Sequence, residues 1–221
     1  MISVAIDGPA GAGKSSLSKM AARELGYIYV DTGALYRCLG LKFLNMGFDE
    51  KLECDIEKVL SETSVEIKFV GVEQRVFLDG TDVSSLIRTP KVSMMASAVS
   101  AKPEVRAFLL EMQRKLAREN NVLMDGRDIG TVVLPNATVK IFLTASVAAR
   151  AERRYKELCE KGIEASFDEV YKDIEKRDYN DSHREIAPLK PADDAVIADT
   201  TECSIEESLK LILDIVRGKV K

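Results

Sequence analysis

The segment Gly8-Pro9-Ala10-Gly11-Ala12-Gly13-Lys14-Ser15 sets glycines and a proline ahead of an amine and a hydroxyl. This spacing suits a polyphosphate. Gly8, Gly11 and Gly13 let the backbone curl with its N–H groups pointing inward, a following helix adds partial positive charge, and Lys14 reaches the β- and γ-phosphates. Ser15 offers a hydroxyl to Mg2+. The flanks argue against a glycine-rich turn without a ligand. Residues 2–6 form an apolar run fit for a buried strand, and residues 15–25 place Leu17, Met20, Ala21 and Leu25 on one helical stripe. Strand, loop and helix then follow in the order a phosphate loop requires.

The arginines are the second chemical signal. Arg150, Arg153 and Arg154 lie three and four residues apart, which predicts one helical face whose guanidinium groups repel each other until an anion joins them. The alternative is a solvated face partnered by Glu152 and Glu157. Arg177, Asp181 and Arg184 are spaced four and three apart, so on a continuing helix Asp181 would hold both arginines. A surface ladder worth about 0.3–0.5 kcal/mol per pair is the competing reading. Two turns from strand to loop, Met124-Asp125-Gly126-Arg127-Asp128 and Val30-Asp31-Thr32-Gly33 with Tyr36 and Arg37 following, sit where ligands bind in open α/β sheets. Asp31 or Thr32 would also serve as a helix cap. His183 is the only histidine and reads as an exposed loop residue.

These groups need a frame. Short apolar runs at residues 27–30, 122–124, 139–143 and 195–198 alternate with amphipathic stretches, which predicts a parallel α/β sheet. Residues 65–70 and 75–78 instead alternate with period two before the turn signal Asp79-Gly80. They predict a small antiparallel insert, ending near residues 86–90, too short for a core of its own and riding on the main domain. Residues 145–161 read as a charged helix, Gly162 as its stop and about 167–179 as a second helix, together a hairpin suited to a lid.

Composition narrows the class. A chain of 221 residues suggests one to two domains. A net charge of −4, 6% aromatic residues and no tryptophan argue against a dedicated nucleic-acid surface, so a polyanion must meet locally clustered cations. Cys38, Cys54, Cys159 and Cys203 lack paired metal spacing and read as free thiols of a reducing compartment. No basic region precedes an apolar stretch, and no 18 consecutive residues are apolar, which predicts a cytoplasmic protein without a membrane span.

Taken together, the motifs resemble those of the bacterial-type cytidylate kinases, the branch of the nucleoside monophosphate kinases with an enlarged acceptor insert. The resemblance runs end to end. It rests on Ile6-Asp7 with residues 8–16, on Asp31-Thr32-Gly33-Ala34-Leu35-Tyr36-Arg37, and on Ile87-Arg88 through Ala96-Ser97 and Pro103 to Arg106. Asp125-Gly126-Arg127-Asp128-Ile129-Gly130-Thr131-Val132-Val133 and Arg177-Asp178-Tyr179-Asn180-Asp181-Ser182-His183-Arg184, with Ala187-Pro188-Leu189, complete it. The first motif is shared by many ATPases; the others together are specific. The resemblance implies one P-loop kinase domain over residues 1–221, a three-layer α/β fold with a central parallel sheet flanked by helices. It further implies an acceptor insert at about 62–89 and a lid at about 149–165.

The implied reaction moves the γ-phosphate of ATP to CMP or dCMP, with Mg2+ bridging the donor β- and γ-phosphates. By resemblance, Gly8, Pro9, Ala10, Gly11, Ala12, Gly13, Lys14, Ser15 and Ser16 bind ATP, with Arg150, Arg153 and Arg154 approaching its phosphates from the lid. Ser97, Arg106 and Asp128 read the cytosine edge; Thr32, where some relatives carry serine, lies around the sugar with Arg177 and Asp181. Arg37, Arg127 and Arg184 hold the acceptor phosphate. Lys14, Arg127, Arg150, Arg154 and Arg184 form the implied catalytic set. A monomer acting on small nucleotides, bound to neither nucleic acid nor membrane, and closing its insert and lid around both substrates, completes the expectation.

Two rivals remain at this point. A shikimate-type kinase would phosphorylate a hydroxyl and need a base, for which Asp7 or Asp128 is available. A GTPase-like switch would need an Asn-Lys-x-Asp or Asp-x-x-Gly motif, and the chain has neither. A phosphate acceptor needs no base, because its second pKa near 6 leaves it mostly dianionic at pH 7.

Overall fold

In a computed structural model, residues 1–71, 73–160 and 162–220 are described. Val72 in the expected insert, Lys161 in the expected lid and the last residue, Lys221, lie outside the described residues. Five parallel strands form the central sheet: β1 (Ser3–Asp7), β2 (Ile28–Asp31), β6 (Val122–Gly126), β7 (Val139–Thr144) and β8 (Val196–Asp199), in the order β2-β6-β1-β7-β8. Their side chains divide by pleat. Val4, Ile6, Leu123, Ile141 and Leu143 face one apolar cluster with Leu17, Ala21, Ile212 and Val216, from the helices α1 (Lys14–Leu25) and α8 (Ile205–Lys219). Ala5, Val30, Val122 and Met124 face another, with Ala117, Ile129 and Val133. Burial on both faces explains the near-continuous apolar runs.

A second group of elements packs beside the β2 side of the sheet. In chain order they are α2 (Thr32–Asn45), α3 (Ile56–Ser61), a three-stranded antiparallel sheet, α4 (Pro90–Ser100) and α5 (Pro103–Glu119). The small sheet comprises β3 (Val65–Val70), β4 (Glu73–Leu78) and β5 (Thr81–Asp82). It has no core of its own. Val65, Val76 and Leu78 instead join Leu35, Leu39, Phe43, Val59, Met95, Val99 and Leu109 in one cluster, so the residues covering the sheet lie largely outside 62–89. Burying one such large side chain contributes about 1.5–3 kcal/mol, which makes the four helices the sheet's support.

Two helices, α6 (Val147–Glu160) and α7 (Phe167–His183), form the hairpin read as a lid and pack through Ala151, Val170 and Ile174. The second runs four residues beyond the expected stop at Tyr179. Its Ser166 cap accepts from Glu169 N, and in its last turn the His183 ring stacks on Tyr179 at 4.1 Å. His183 is therefore exposed, as expected, but ends a helix rather than sitting in a loop. Its Nδ1 lies 3.0 Å from the Tyr179 carbonyl oxygen. Among the described residues no helix is long and apolar enough to cross a membrane.

Candidate active site

The donor loop follows directly from β1. Gly8, Gly11 and Gly13 all have positive φ, and a Cβ on Gly8 would lie 2.0 Å from the Leu143 carbonyl oxygen. No side chain fits there, and the curl brings α1 in with its N-terminus at the loop. Lys14 is buried, and its Nζ donates to the Pro9 carbonyl at 2.6 Å. Burial, and then the Arg127 charge, bring this ammonium down to about 7 against the pull of Asp125, Asp181 and Asp7. Next to it the Ser15 hydroxyl donates to Asp125 Oδ2 at 2.9 Å, while the Tyr29 hydroxyl donates to Oδ1 at 3.2 Å. Desolvation and the neighbouring Asp31 charge push Asp125 up to about 6. A hydroxyl and a carboxylate oxygen side by side are hard donors of the kind Mg2+ takes, so these residues fit that ion.

Across the strand ends stand the arginines. Asp31 caps α2 through Ala34 N at 2.9 Å and accepts from Arg37 Nη2 at 2.8 Å, while Arg88 Nη2 comes within 3.5 Å. Gln74, reaching over from β4, accepts from Asp31 N at 2.8 Å and donates to Asp31 O at 3.2 Å. At the end of β6, Arg127 Nε donates to Asp181 Oδ2 at 2.8 Å and Nη1 to Gly126 O at 3.2 Å. Burial opposes that cation, but the adjoining Asp181 carries its pKa above the usual arginine value. Asp128 pairs closely with Arg106, whose guanidinium also donates to Ser100 O and lies 5.8 Å from the Tyr36 ring centroid. Arg184 approaches Asp128 at 3.8 Å and donates through Nε to Ala187 O at 2.6 Å. The Thr32 hydroxyl donates to Asp125 O at 2.7 Å.

Two of these cations carry unspent donors. Arg37 Nε and Arg184 Nη2 are buried without a hydrogen-bond partner among the described residues. A buried guanidinium donor left unpaired is costly, which is the condition an incoming phosphate relieves. Ser97 stands half-buried on α4, where its carbonyl accepts from the Ser100 hydroxyl. Arg177 is half-buried; burial lowers its basicity, and Arg154 and Arg127 add to that against Asp173.

Two expected arrangements change. Asp181 holds neither Arg177 nor Arg184 by a direct bond; it takes Arg127, because α7 turns this carboxylate toward the end of β6. Nor do the three arginines of α6 share one face. Arg150 turns inward and donates to Ala145 O, Ala10 O and both oxygens of Asp178. Arg153 reaches Thr200 O, and Arg154 pairs with Glu157 at 2.8 Å. Side chains this long diverge from a common helical stripe toward whichever acceptor is nearest.

Sequence reasoning missed the tasks of Asp7, Gln74, Tyr29 and Asp178, all of which bond across long sequence separations. Of these only Asp7 gave a signal, as an acid at a strand end.

Residues 4–218 match the family model described as Cytidylate kinase. The chain belongs to the cytidylate kinase family. A cytidylate kinase of Caldicellulosiruptor bescii is 51% identical over 220 residues, covering 100% of this chain and 97% of that one. Beyond the family, only the fold is shared. A gluconokinase from Sinorhizobium meliloti has a TM-score of 0.51 at 14% identity, covering 99% of this chain and 94% of that chain. A shikimate kinase from Bacteroides thetaiotaomicron has a TM-score of 0.50 at 13% identity, with 98% of each chain covered. Both likenesses support the P-loop kinase architecture, and the family membership separates this chain from either activity.

Proposed function

We propose that the protein transfers the γ-phosphate of ATP to CMP or dCMP, giving ADP and CDP or dCDP. The observation that carries this reading is a pair of buried guanidinium nitrogens without a hydrogen-bond partner among the described residues, Arg37 Nε and Arg184 Nη2, the latter 3.8 Å from Asp128 Oδ1, in a cluster of arginines that includes Arg127 beside Lys14. Two anions must meet in such a reaction, and fixed cations screen them. The donor triphosphate lies in the backbone curl of residues 8–16 with Lys14 on its outer phosphates. Ser15, with Asp125 beside it, would hold Mg2+, which would supply charge neutralisation to the triphosphate. Arg37, Arg127 and Arg184 grip the acceptor phosphate, and its dianion attacks without a base. Arg106, Asp128 and Ser97 present donors and acceptors to the cytosine edge, while Thr32, Arg177 and Asp181 surround the sugar.

From the lid, Arg154 is the arginine placed to reach the transferring group, since it is about two-fifths exposed and its one ion-pair partner among the described residues lies on its own helix. Arg153 stays near the donor nucleotide, and Arg150 acts by bracing the donor loop through Ala10 O. The expected domain plan is part of the same reading: one domain, with an insert near 62–89 and a lid near 149–165 that close over both nucleotides and exclude water. A cytoplasmic monomer that binds neither nucleic acid nor membrane fits the four free cysteines and the net charge of −4.

Phosphorylation of a metabolite hydroxyl is not favoured. It needs a free base, yet both oxygens of Asp7 accept backbone N–H groups, and Asp128 is held by Arg106 with Arg184 close by. The test is ADP release with ATP and Mg2+ against CMP, dCMP, UMP, AMP and shikimate. Turnover with CMP and dCMP is expected; turnover with shikimate, or none with either cytidine nucleotide, overturns the reading.

A further inference from the structure

The mechanism leaves one buried acid without a task. Asp7 closes β1, is 4% exposed and directly precedes Gly8 of the donor loop. Its Oδ1 accepts from Ile129 N and its Oδ2 from Gly130 N, both at 2.7 Å. Those amides open the single π turn Ile129–Val133, and the residue in front of that turn, Asp128, makes no capping bond to it. An acid from a neighbouring strand therefore satisfies donors that a helix start leaves unpaired. The loop that enters this turn carries Arg127 and Asp128.

Backbone pairing does not make this contact redundant. The parallel register of β1 and β6 places Asp7 opposite Gly126 and ends there. Beyond Gly126, the direction of Arg127 and Asp128 depends on how the following turn is held. Gly130 permits the close approach, since a Cβ there would lie 3.3 Å from Asp7 Oδ2 and 3.2 Å from Lys140 Cδ.

We propose that Asp7 is a positioning residue for phosphoryl transfer, which pins the Ile129 and Gly130 amides to the root of the donor loop and so fixes the reach of Arg127 and Asp128 toward the acceptor. This rests on the acceptor site described above. Asp7 joins the two nucleotide sites through a covalent link on one side and two hydrogen bonds on the other. The charged groups that face it are Lys14 and Arg127, which favour its ionised form, and Asp128, which opposes it. Burial pushes the acid up to about 6 against the two backbone bonds, so at neutral pH it is ionised and both bonds stand.

Asp7→Asn keeps the shape but turns an NH2 group toward one of the backbone N–H donors. Losing that charge-assisted bond is expected to raise KM for CMP about tenfold or more and lower kcat by about tenfold, with KM for ATP changed less than about twofold. Gly130→Ala presses on the same contact with the carboxylate intact, and a smaller change of the same kind is expected. A purely structural role would lower the melting temperature and scale kcat with the folded fraction. An unchanged KM for CMP in Asp7→Asn, or in Gly130→Ala where Asp7→Asn does not fold, overturns the proposal. Failure of the underlying reading looks different: wild-type enzyme would then ignore CMP, or Arg184→Ala would leave its KM unchanged.

Discussion

The proposed donor site, residues 8–15, is contiguous backbone with three positive-φ glycines and one lysine, whereas the proposed acceptor site draws Arg37, Arg106, Arg127 and Arg184 from four separate segments. The first needs little from the rest of the fold beyond a strand and a helix. The second works only because each cation has an acidic or carbonyl partner to aim it: Asp31 for Arg37, Asp128 for Arg106, Asp181 for Arg127 and Ala187 O for Arg184. Fixed dipoles suit a donor whose triphosphate is the same in every cycle. Charged forks held by carboxylates suit an acceptor that must be admitted, recognised and aligned.

This contrast can be broken experimentally. Lys14→Ala removes the only charged side chain of the loop 8–15, and kcat should fall on the order of 10³-fold or more while CMP affinity stays near wild type. Steady-state kinetics with calorimetric CMP binding checks both halves; a large loss of CMP affinity would show that the two sites are not separable. Arg184→Ala should do the converse, raising KM for CMP roughly 30- to 100-fold with KM for ATP little changed. Equal effects on both nucleotides would assign Arg184 to neither side in particular.

Arg106→Ala sharpens the comparison through stability. It leaves Asp128 buried with Arg184 at 3.8 Å, and breaking such a pair costs roughly 3 kcal/mol, or about 6–12 °C in melting temperature for a chain of this size. Thermal unfolding without nucleotide measures it, and a drop of under about 2 °C would mean that Asp128 is adequately held without Arg106. The smallest effect is a proton count. With its pKa lowered to about 7, Lys14 is mostly neutral in the free protein at pH 8, and a bound triphosphate restores the ammonium. ATP binding at pH 8 should therefore take up close to one proton, and at pH 6, where the amine is already charged, far less. Calorimetry in buffers of different ionisation enthalpy reads this directly. Uptake that persists in Lys14→Met would place the proton elsewhere.

The same asymmetry decided what could be read from the chain. The donor loop and all five parallel strands were legible because each is local: glycine spacing, an apolar run, a helical stripe. β2 differs from its expected span only by a shift of one residue, to Ile28–Asp31. The small antiparallel sheet was legible from its period-two runs and the Asp79-Gly80 turn, but the helices around it were less visible, since α2, α4 and α5 bury their apolar faces in a cluster shared with that sheet, which no single segment announces. Arginine spacing on α6 and α7 misled for a related reason. Helical periodicity fixes where a Cβ points, but Arg150 and Asp181 reach partners 28 and 54 residues away in sequence. Asp7 was visible as an acid at a strand end, and the amides it binds were not.

β2 is the outermost strand on its side of the sheet, with one flank unclaimed by any neighbouring ladder. The Gln74 amide meets Asp31 there in the manner of a peptide group, donating and accepting once each. One side chain thus stoppers a rim that would otherwise invite a stranger's backbone, and it does so where Asp31 leads into Arg37. The price of so slim a seal is that whatever tilts the small sheet also tugs on the residue that caps the next helix and holds Arg37, so the tidiness of the sheet's margin and the aim of that guanidinium hang on the same two bonds.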